Sequence, residues 1–494
     1  MIDAYASTDV YAAEAAAMAG LPEGELMARA VTGLVEVARA RLRAASGRRV
    51  VALVGPGNNG GDALYAAATL ARDGVECAAV YLDGKVHRGA LAAAIDSGVV
   101  LKPVRPESPA DAAGAVVERA DVVLDGIVGI GGRPGLPDFA QPWVAAIPDG
   151  AHVIAVDLPS GQDPMGEKAD PGGVWADETV TFSLAKPVHL LPPTEAACGV
   201  LTVIEIGIAA PAASAVVRRL DHADVADLWP APGPVDDKYS RGVVGIIAGG
   251  EVYTGAAVLA CTAAVAAGAG MVRYVGTPAP HALVRAAVPE AVHGAGQVQA
   301  WVVGPGLDPT SAAPGAAEQI GVARDVLASD ARVVLDAGGL DLLTGPRPGE
   351  TLLTPHAGEA ARLLTRLRDN GSVPEVSRRA VTAAPLAHAR ELAERTGAVV
   401  LLKGGTTLVV APGEGAAYSQ SDAPAWLATA GAGDVLAGLL GTLAASGMPL
   451  HHAGALAALV HGVAADDANP GGPVRALAVA NALPHTIARL RRRA

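Results

Sequence analysis

Aromatic side chains are scarce, at 3% of the 494 residues with only two Phe. Any core must then be built from Ala, Val and Leu, which suits helices packed closely on parallel sheets. Cysteine is nearly missing: Cys77, Cys198 and Cys261 lie far apart, with no CxxC spacing. That excludes a disulfide framework or a zinc ribbon and points to a reducing, cytoplasmic compartment. Positive charge is also short, with 37 Lys+Arg against 50 Asp+Glu and a formal net charge of −13. Without a basic stripe, general nucleic-acid binding is excluded, and the run Arg489, Arg491, Arg492 and Arg493 reads as a solvated helix end. No basic residue precedes Arg29 whereas Asp3, Asp9 and Glu14 do, so the N-terminus does not read as a signal peptide. The uncharged stretch from Tyr253 to Val272 has the length of a membrane span. Its Ala, Gly and Thr insert weakly, so it reads as a helix buried in protein, and no membrane partner is expected.

What is present is apolar and ordered. Hydrophobic residues make up 51% of the chain, which excludes disorder. Gly (60) and Pro (36) stay below the share that marks low complexity. The length suits two or three domains. Short apolar runs alternate with helical segments in the first half: Arg49–Val54, Glu76–Leu82, Val122–Asp125, Val153–Asp157, Thr179–Ser183 and Val200–Ile206. This is the pattern of a doubly wound parallel sheet. Pro211, Pro230, Pro232 and Pro234 punctuate a linker-like stretch. The alternation then restarts at Val243–Ala248 and continues through Met271–Gly276, Trp301–Gly304, Val333–Asp336, Thr351–Thr354 and Val399–Lys403, with long helical segments toward the C-terminus. We therefore expect two α/β domains, residues 1–215 and 225–494. The apolar helical segments suit a homo-oligomer interface as well as a core.

Gly55, Gly57 and Gly60 fit G-x-G-x-x-G after a strand, with Asp83 ending the next strand. That is the context of a dinucleotide fingerprint, so a Rossmann dehydrogenase has to be weighed. The polar content argues otherwise. Asn58, Asn59 and Asp62 place two amides and a carboxylate in the loop, oxygens suited to an ion or a carboxamide rather than to phosphate alone. Asp125 and Asp157 end two further strands beside the same expected crevice, and Asp157 opens Asp-Leu-Pro-Ser-Gly, which brings Ser160. Each Asp alone is equally well a turn cap.

These residues carry a resemblance. The GPGNNGGD loop, the Asp125 strand with its glycine loop, DLPSG, Phe182–Pro187 (FSLAKP) and Ala12–Arg29 are similar to NAD(P)H-hydrate epimerase. The resemblance implies a Rossmann-like domain. Asn58, Asn59, Gly60, Gly61 and Asp62, the loop Gly129, Ile130, Gly131, Gly132, Arg133, Pro134 and Gly135, and Asp157 would hold the hydrated dinucleotide. Asn59, Asp125 and Ser160 would bind K+. Ala63 and Ile130 depart from the family pattern. Epimerisation at C6 breaks and remakes a bond or opens the ring, and needs a proton shuttle within hydrogen-bond reach. Asp157 is expected in that role.

In the second half Thr429-Ala-Gly-Ala-Gly-Asp434 precedes an apolar helical segment. Gly431 and Gly433 free backbone N–H groups for an anion at a helix start. A carboxylate there makes sense as a base that takes a hydroxyl proton during phosphoryl transfer, although an acidic residue in a first helical turn is common for other reasons. With Lys238–Gly242, Gly249–Ala256, Val303–Leu307, Leu335–Ala337, Leu353–Glu359 and Leu402–Thr406, this half resembles the ribokinase-like fold and, more closely, ADP-dependent NAD(P)H-hydrate dehydratase. By that resemblance Ala256, Gly306, His356 and Asp434 would contact the hydrate. Lys403, Gly404, Gly405, Thr406, Thr407 and Gly433 would hold ADP, with Mg2+ bridging its phosphates. His356 beside Pro355 is equally well an ordinary core histidine. Ala357 and Ala432 depart from the family pattern, and Ala432 restores the turn as sugar and vitamin kinases carry it. The resemblance implies one repair enzyme acting on NADHX and NADPHX, in which the first half interconverts the R and S epimers and the second dehydrates one of them. The competing readings are a small-molecule kinase fused to a dinucleotide-binding module, and a scaffold without catalysis.

Overall fold

Runs such as Arg49–Val54 and Val122–Gly126 bury nearly every residue on both faces, as strands inside a parallel sheet must. The computed structural model describes residues 1–105, 111–368, 375–413 and 415–492. It divides the chain into two units, residues 3–217 and residues 218–494 with the first two residues.

The first unit holds seven parallel strands, in the order Val100–Val104, Glu76–Leu82, Arg49–Val54, Val122–Gly126, His152–Val156, Glu178–Phe182 and Val200–Ile204. Chain direction across the sheet reverses between Arg49–Val54 and Val122–Gly126, the crevice where open α/β sheets bind ligands. The sequence pattern puts Asn58, Asn59 and Asp62 in a loop. The structure instead starts a helix at Asn58 and runs it to Arg72, so these residues sit in its first turns. The double glycine that suggests a loop is there for close approach. A Cβ on Gly60 would lie 2.1 Å from the Gly55 carbonyl oxygen, and one on Gly55 would lie 1.8 Å from that of Ile127. Gly57 has nothing within 4 Å, which leaves room for a ligand. Asp83 pairs with Arg105 at 2.9 Å on the surface.

In the second unit the strands run Ala417–Gln420, Thr407–Val410, Val399–Leu402, Thr351–Leu353, Arg332–Leu335, Ala300–Val303, Val243–Ile247, Met271–Val275 and Ala291–His293. All are parallel except Thr407–Val410, which is antiparallel to both neighbours. That hairpin and the strand Val100–Val104 are absent from the sequence reading. The helices Thr254–Ala266, Ala432–Ala445, Leu450–Ala468 and Ala476–Leu490 share one apolar core with the sheet. Glycine seats the second of them: a Cβ on Gly438 would meet the Ala260 carbonyl oxygen at 2.2 Å, and one on Gly441 would meet Val302 at 2.4 Å. The uncharged stretch is thus a buried helix, and among the described residues no helix is long and apolar enough to cross a membrane. Arg489 pairs with Asp467 at 2.8 Å, Arg491 and Arg492 are exposed, and Arg493 lies outside the described residues.

Gly60→Ala should destabilise the first unit by about 1–3 kcal/mol through overpacking, while Gly57→Ala leaves its stability unchanged. Hydrogen exchange of the Arg49–Arg72 amides under urea distinguishes the two outcomes.

Candidate functional site

At the reversal point of the first sheet, the Asp125 carboxylate is fully buried. Its oxygens accept from the Ser160 hydroxyl (2.6 Å), the Ser160 N–H (2.8 Å) and the Ile127 N–H (3.3 Å). Burial pushes its pKa up to about 6, against the pull of these hydrogen bonds. Asn59 reaches the same place by donating Nδ2–H to the Val128 carbonyl at 3.1 Å, and the Val128 N–H donates to Ser160 Oγ at 2.9 Å. The three residues expected to share an ion are therefore gathered around one carbonyl, and the hydrogen bonds to the buried carboxylate come from neutral donors.

Asp157 ends its strand in the left-handed region, with φ 69°, a conformation non-glycine residues adopt at a cost of order 1–3 kcal/mol. Its Oδ1 is bound by Lys186 Nζ and by the Thr181 hydroxyl at 3.2 Å. The Lys186 side chain is entirely buried and also donates to Thr181 Oγ1 at 2.8 Å. Removing either charge would strand the other, at about 3–5 kcal/mol. His189 locks the turn. Its Nδ1 accepts the Lys186 N–H at 3.1 Å, so the proton sits on Nε2, which donates to the Asp157 carbonyl at 2.8 Å. Burial, then the nearby Lys186 charge, lowers His189 to about 3, so it stays neutral.

Asp62 lies on the neighbouring helix, 8% exposed. Burial first, then the charges of Asp157 and Glu14, raise its pKa well above the ordinary value. Glu14, from the helix Ser7–Met18, is raised by burial and by Asp157. Tyr11 on that helix places its hydroxyl where a Gly131 Cβ would be, at 2.5 Å. The loop Gly129–Gly135 thus runs beneath this helix. Ile130 packs on Leu158, Val188 and Cys198, Gly132 donates to the Gly129 carbonyl, Gly135 has φ 101°, and Arg133 and Pro134 are exposed. Ala63 makes close contact with Gly126: a Cβ there would sit 2.6 Å from that of Ala63.

The second sheet gathers its polar residues at the same end, just past the strand C-termini. Asp336 is 2% exposed. Its Oδ1 accepts from Lys403 Nζ (2.7 Å) and from the Thr354 hydroxyl (2.7 Å). Glu359 stands 3.9 Å from Lys403. Burial opposes the Lys403 charge, yet Asp336, Glu359 and Asp434 together hold its pKa above the ordinary range. The helix Ala432–Ala445 begins after Gly431, which has φ 88°. A Cβ on Gly433 would lie 3.3 Å from Lys403 Nζ and 3.8 Å from Asp336 Oδ2, so the first helical turn meets the ion pair. Asp434 follows, its pKa pushed up to about 7 by burial and by Asp336, with Lys403 opposing. Gly306, at φ 65°, touches Ala256 (2.7 Å to a built Cβ). The turn Gly404–Gly405 is exposed and leads through Thr406 to Thr407 at the start of a strand.

His356 is not a core histidine. Its side chain is 54% exposed, and Nδ1 accepts the N–H of Gly358 (3.0 Å) and Glu359 (3.3 Å) while Glu359 accepts the His356 N–H (2.8 Å). It caps the helix Ala357–Arg368, a position where a buried ring is not needed. Sequence reasoning passed over Lys186, Asp336, Glu14 and His461. Asp336 ends a strand before small residues as Asp125 and Asp157 do, and Lys186 is a lone cation in an apolar run; these were the available signals. His461 is buried beside Lys403 and lowered to about 4 by burial and that charge, which no local pattern announces.

Family models match both units: residues 23–188 match the YjeF-related protein N-terminus and residues 244–483 match NAD(P)H-hydrate dehydratase. A crystal structure of the ADP/ATP-dependent NAD(P)H-hydrate dehydratase of Bacillus subtilis, co-crystallised with ATP/Mg2+, aligns at 26% identity and a TM-score of 0.48 over 55% of this chain and 97% of that one. The NAD(P)H-hydrate epimerase of Clavibacter sepedonicus is 40% identical over 225 residues, 44% of this chain and 95% of the relative. The bifunctional NAD(P)H-hydrate repair enzyme Nnr of Mycobacterium leprae is 41% identical over 94% of both chains. That of Mycobacterium tuberculosis (H37Rv) is 44% identical over 91% of both. On this likeness across both halves, the chain belongs to the family of bifunctional NAD(P)H-hydrate repair enzymes.

Proposed function

We propose that the chain returns hydrated NADH and NADPH to service in two steps: residues 1–215 interconvert the R and S epimers at C6, and residues 225–494 dehydrate the S epimer at the expense of ADP, releasing AMP and phosphate. One observation carries this reading. Each sheet ends in a lysine–aspartate pair, fully buried at Lys186 and partly buried at Lys403, with a further carboxylate of raised pKa beside it: Lys186–Asp157 with Asp62, and Lys403–Asp336 with Asp434. The free, buried cysteines suit work in the cytoplasm.

In the second unit Asp434 takes the proton of the C6 hydroxyl, and the oxygen attacks the β-phosphorus of ADP as AMP leaves. The phosphate ester at C6 then departs as N1 supplies its electron pair, and loss of a C5 proton restores the dihydronicotinamide. Lys403 and the N–H groups around Gly433 meet the phosphoryl charge. Ala256, Gly306 and His356 line the hydrate side, and Gly404, Gly405, Thr406 and Thr407 the nucleotide side. Mg2+ supplies charge neutralisation on the phosphates; Asp336 Oδ2, turned toward Gly433, is an oxygen donor of the kind it takes.

In the first unit Asp157 takes and returns the proton of the C6 hydroxyl, while Asn58 to Asp62 and Gly129 to Gly135 embrace the dinucleotide. The donor set Asn59, Asp125 and Ser160 with the Val128 carbonyl is all oxygen once the Asn59 amide turns, and it includes a buried carboxylate that, among the described residues, is paired with no cation. Those features fit K+, which would neutralise Asp125 and fix the loop.

Asp434→Asn should cut dehydration by about 10²–10⁴-fold, the usual worth of a general base, and leave epimer exchange intact; parallel loss of both activities would contradict two separate sites. Dehydration kcat/KM should rise with pH through about 7, because Asp434 works only as the carboxylate and is protonated below that value. A profile flat from pH 5 to 8 would remove it as the base. Exchanging K+ for a large organic cation should slow epimerisation at least several-fold in the wild type and have no effect on Asp125→Asn, measured by chromatography of the two epimers.

A further inference from the structure

Asp62 Oδ1 is buried and has no hydrogen-bond partner among the described residues, on a side chain that is more than nine-tenths buried. Folding gains nothing from such an atom, because a buried acceptor without a donor costs free energy. It is therefore an atom waiting for a ligand. The groups facing it are the carboxylates of Asp157 and Glu14. Tyr11 and Lys186 are coupled to those carboxylates in turn, and His87 packs against Gly61 on the same helical turn. Burial and two like charges disfavour the ionised form of Asp62. Asp157, whose charge acts on Asp62, instead has an ammonium and a hydroxyl on its Oδ1. Two carboxyl groups at one site in such unlike surroundings divide acid and base work between them.

We propose that Asp62 is the second catalytic group of epimerisation, giving a proton to N1 of the hydrated nicotinamide while Asp157 takes one from the C6 hydroxyl. The inference rests on the epimerase reading of this unit. Asp157 removes the hydroxyl proton, the C6–O bond becomes a carbonyl, and the C6–N1 bond breaks. The electron pair of that bond goes to N1, which accepts the Asp62 proton. The ring is then open, with an aldehyde at C6 and N–H at N1. Rotation about C5–C6 presents the other carbonyl face. N1 attacks it, returns its proton to Asp62, and the oxygen recovers a proton from Asp157. Nothing is oxidised or reduced, and no water enters. Loss of the hydroxyl as water would instead leave a C6–N1 iminium, which becomes the dihydronicotinamide by giving up a C5 proton. A site working that way would dehydrate its substrate without ADP.

The test measures epimer exchange with purified R-NADHX for the full-length wild type, Asp62→Asn and Asp62→Ala. Asp62→Asn keeps a hydrogen-bond donor of the same shape and should lose at least 100-fold in kcat with KM within about threefold. Formate should restore part of the Asp62→Ala rate, and exchange in H218O should leave the C6 oxygen unlabelled in the wild type. Near-wild-type kcat in Asp62→Asn, a loss carried by KM alone, failure of formate to rescue a variant that still binds the hydrate, or a variant too unfolded to bind it at all would each overturn the assignment. A wild type that exchanges no epimers would overturn the epimerase reading along with it.

Discussion

A lysine sunk at the end of a parallel sheet and tied to a strand-end carboxylate is the constraint on which both units turn. Lys186 and Lys403 are the two instances. Burying an ammonium beside a carboxylate is tolerable only when geometry is good and the remaining protons and lone pairs are met. In the first unit Thr181 completes the set, and in the second Thr354 does. The pair fixes where positive charge sits. Beside each pair a further carboxylate, Asp62 or Asp434, is raised first by its own burial and then by the charge of Asp157 or Asp336, with Lys403 opposing in the second unit.

Small residues make this arrangement reachable. Gly55 and Gly60 let the helix Asn58–Arg72 start against the strand it follows, and Gly438 and Gly441 bring Ala432–Ala445 down onto sheet and helix. With few aromatics and many alanines, the helices lie close to their sheets, and their first turns reach the strand ends. The same economy explains why Gly57 and Gly433 matter in a different way. Neither is demanded by packing alone. Gly57 leaves open space over its backbone, and Gly433 leaves its backbone bare beside Lys403 and Asp336, where a phosphate or carboxamide can approach.

Much of the fold was legible because parallel strands announce themselves as short apolar runs, and Arg49–Val54 and Glu76–Leu82 coincide with the observed strands. The strand Val100–Val104 was hidden by its edge character, with Lys102 and Pro103 inside it, and the hairpin Thr407–Gln420 by strands of only four residues. Of the site, the residues standing in glycine-rich turns were legible, since backbone freedom and a polar residue in one turn is a local signal. Lys186, Asp336 and Glu14 were not, because what makes them functional is a partner far along the chain: Asp157 is 29 positions from Lys186 and Asp336 is 67 from Lys403. For His356 the sequence offers a hydrate contact and a core position, and the exposed ring that caps a helix removes only the core alternative.

Two sites on one chain imply that neither epimer should accumulate. Pure R-NADHX, given to the full-length protein with ADP and Mg2+, tests this most directly through the absorbance of the dihydronicotinamide. The account predicts complete recovery of NADH with one AMP formed per molecule repaired. Recovery that stalls at the fraction of S epimer formed without enzyme, or that proceeds with no AMP released, would contradict it.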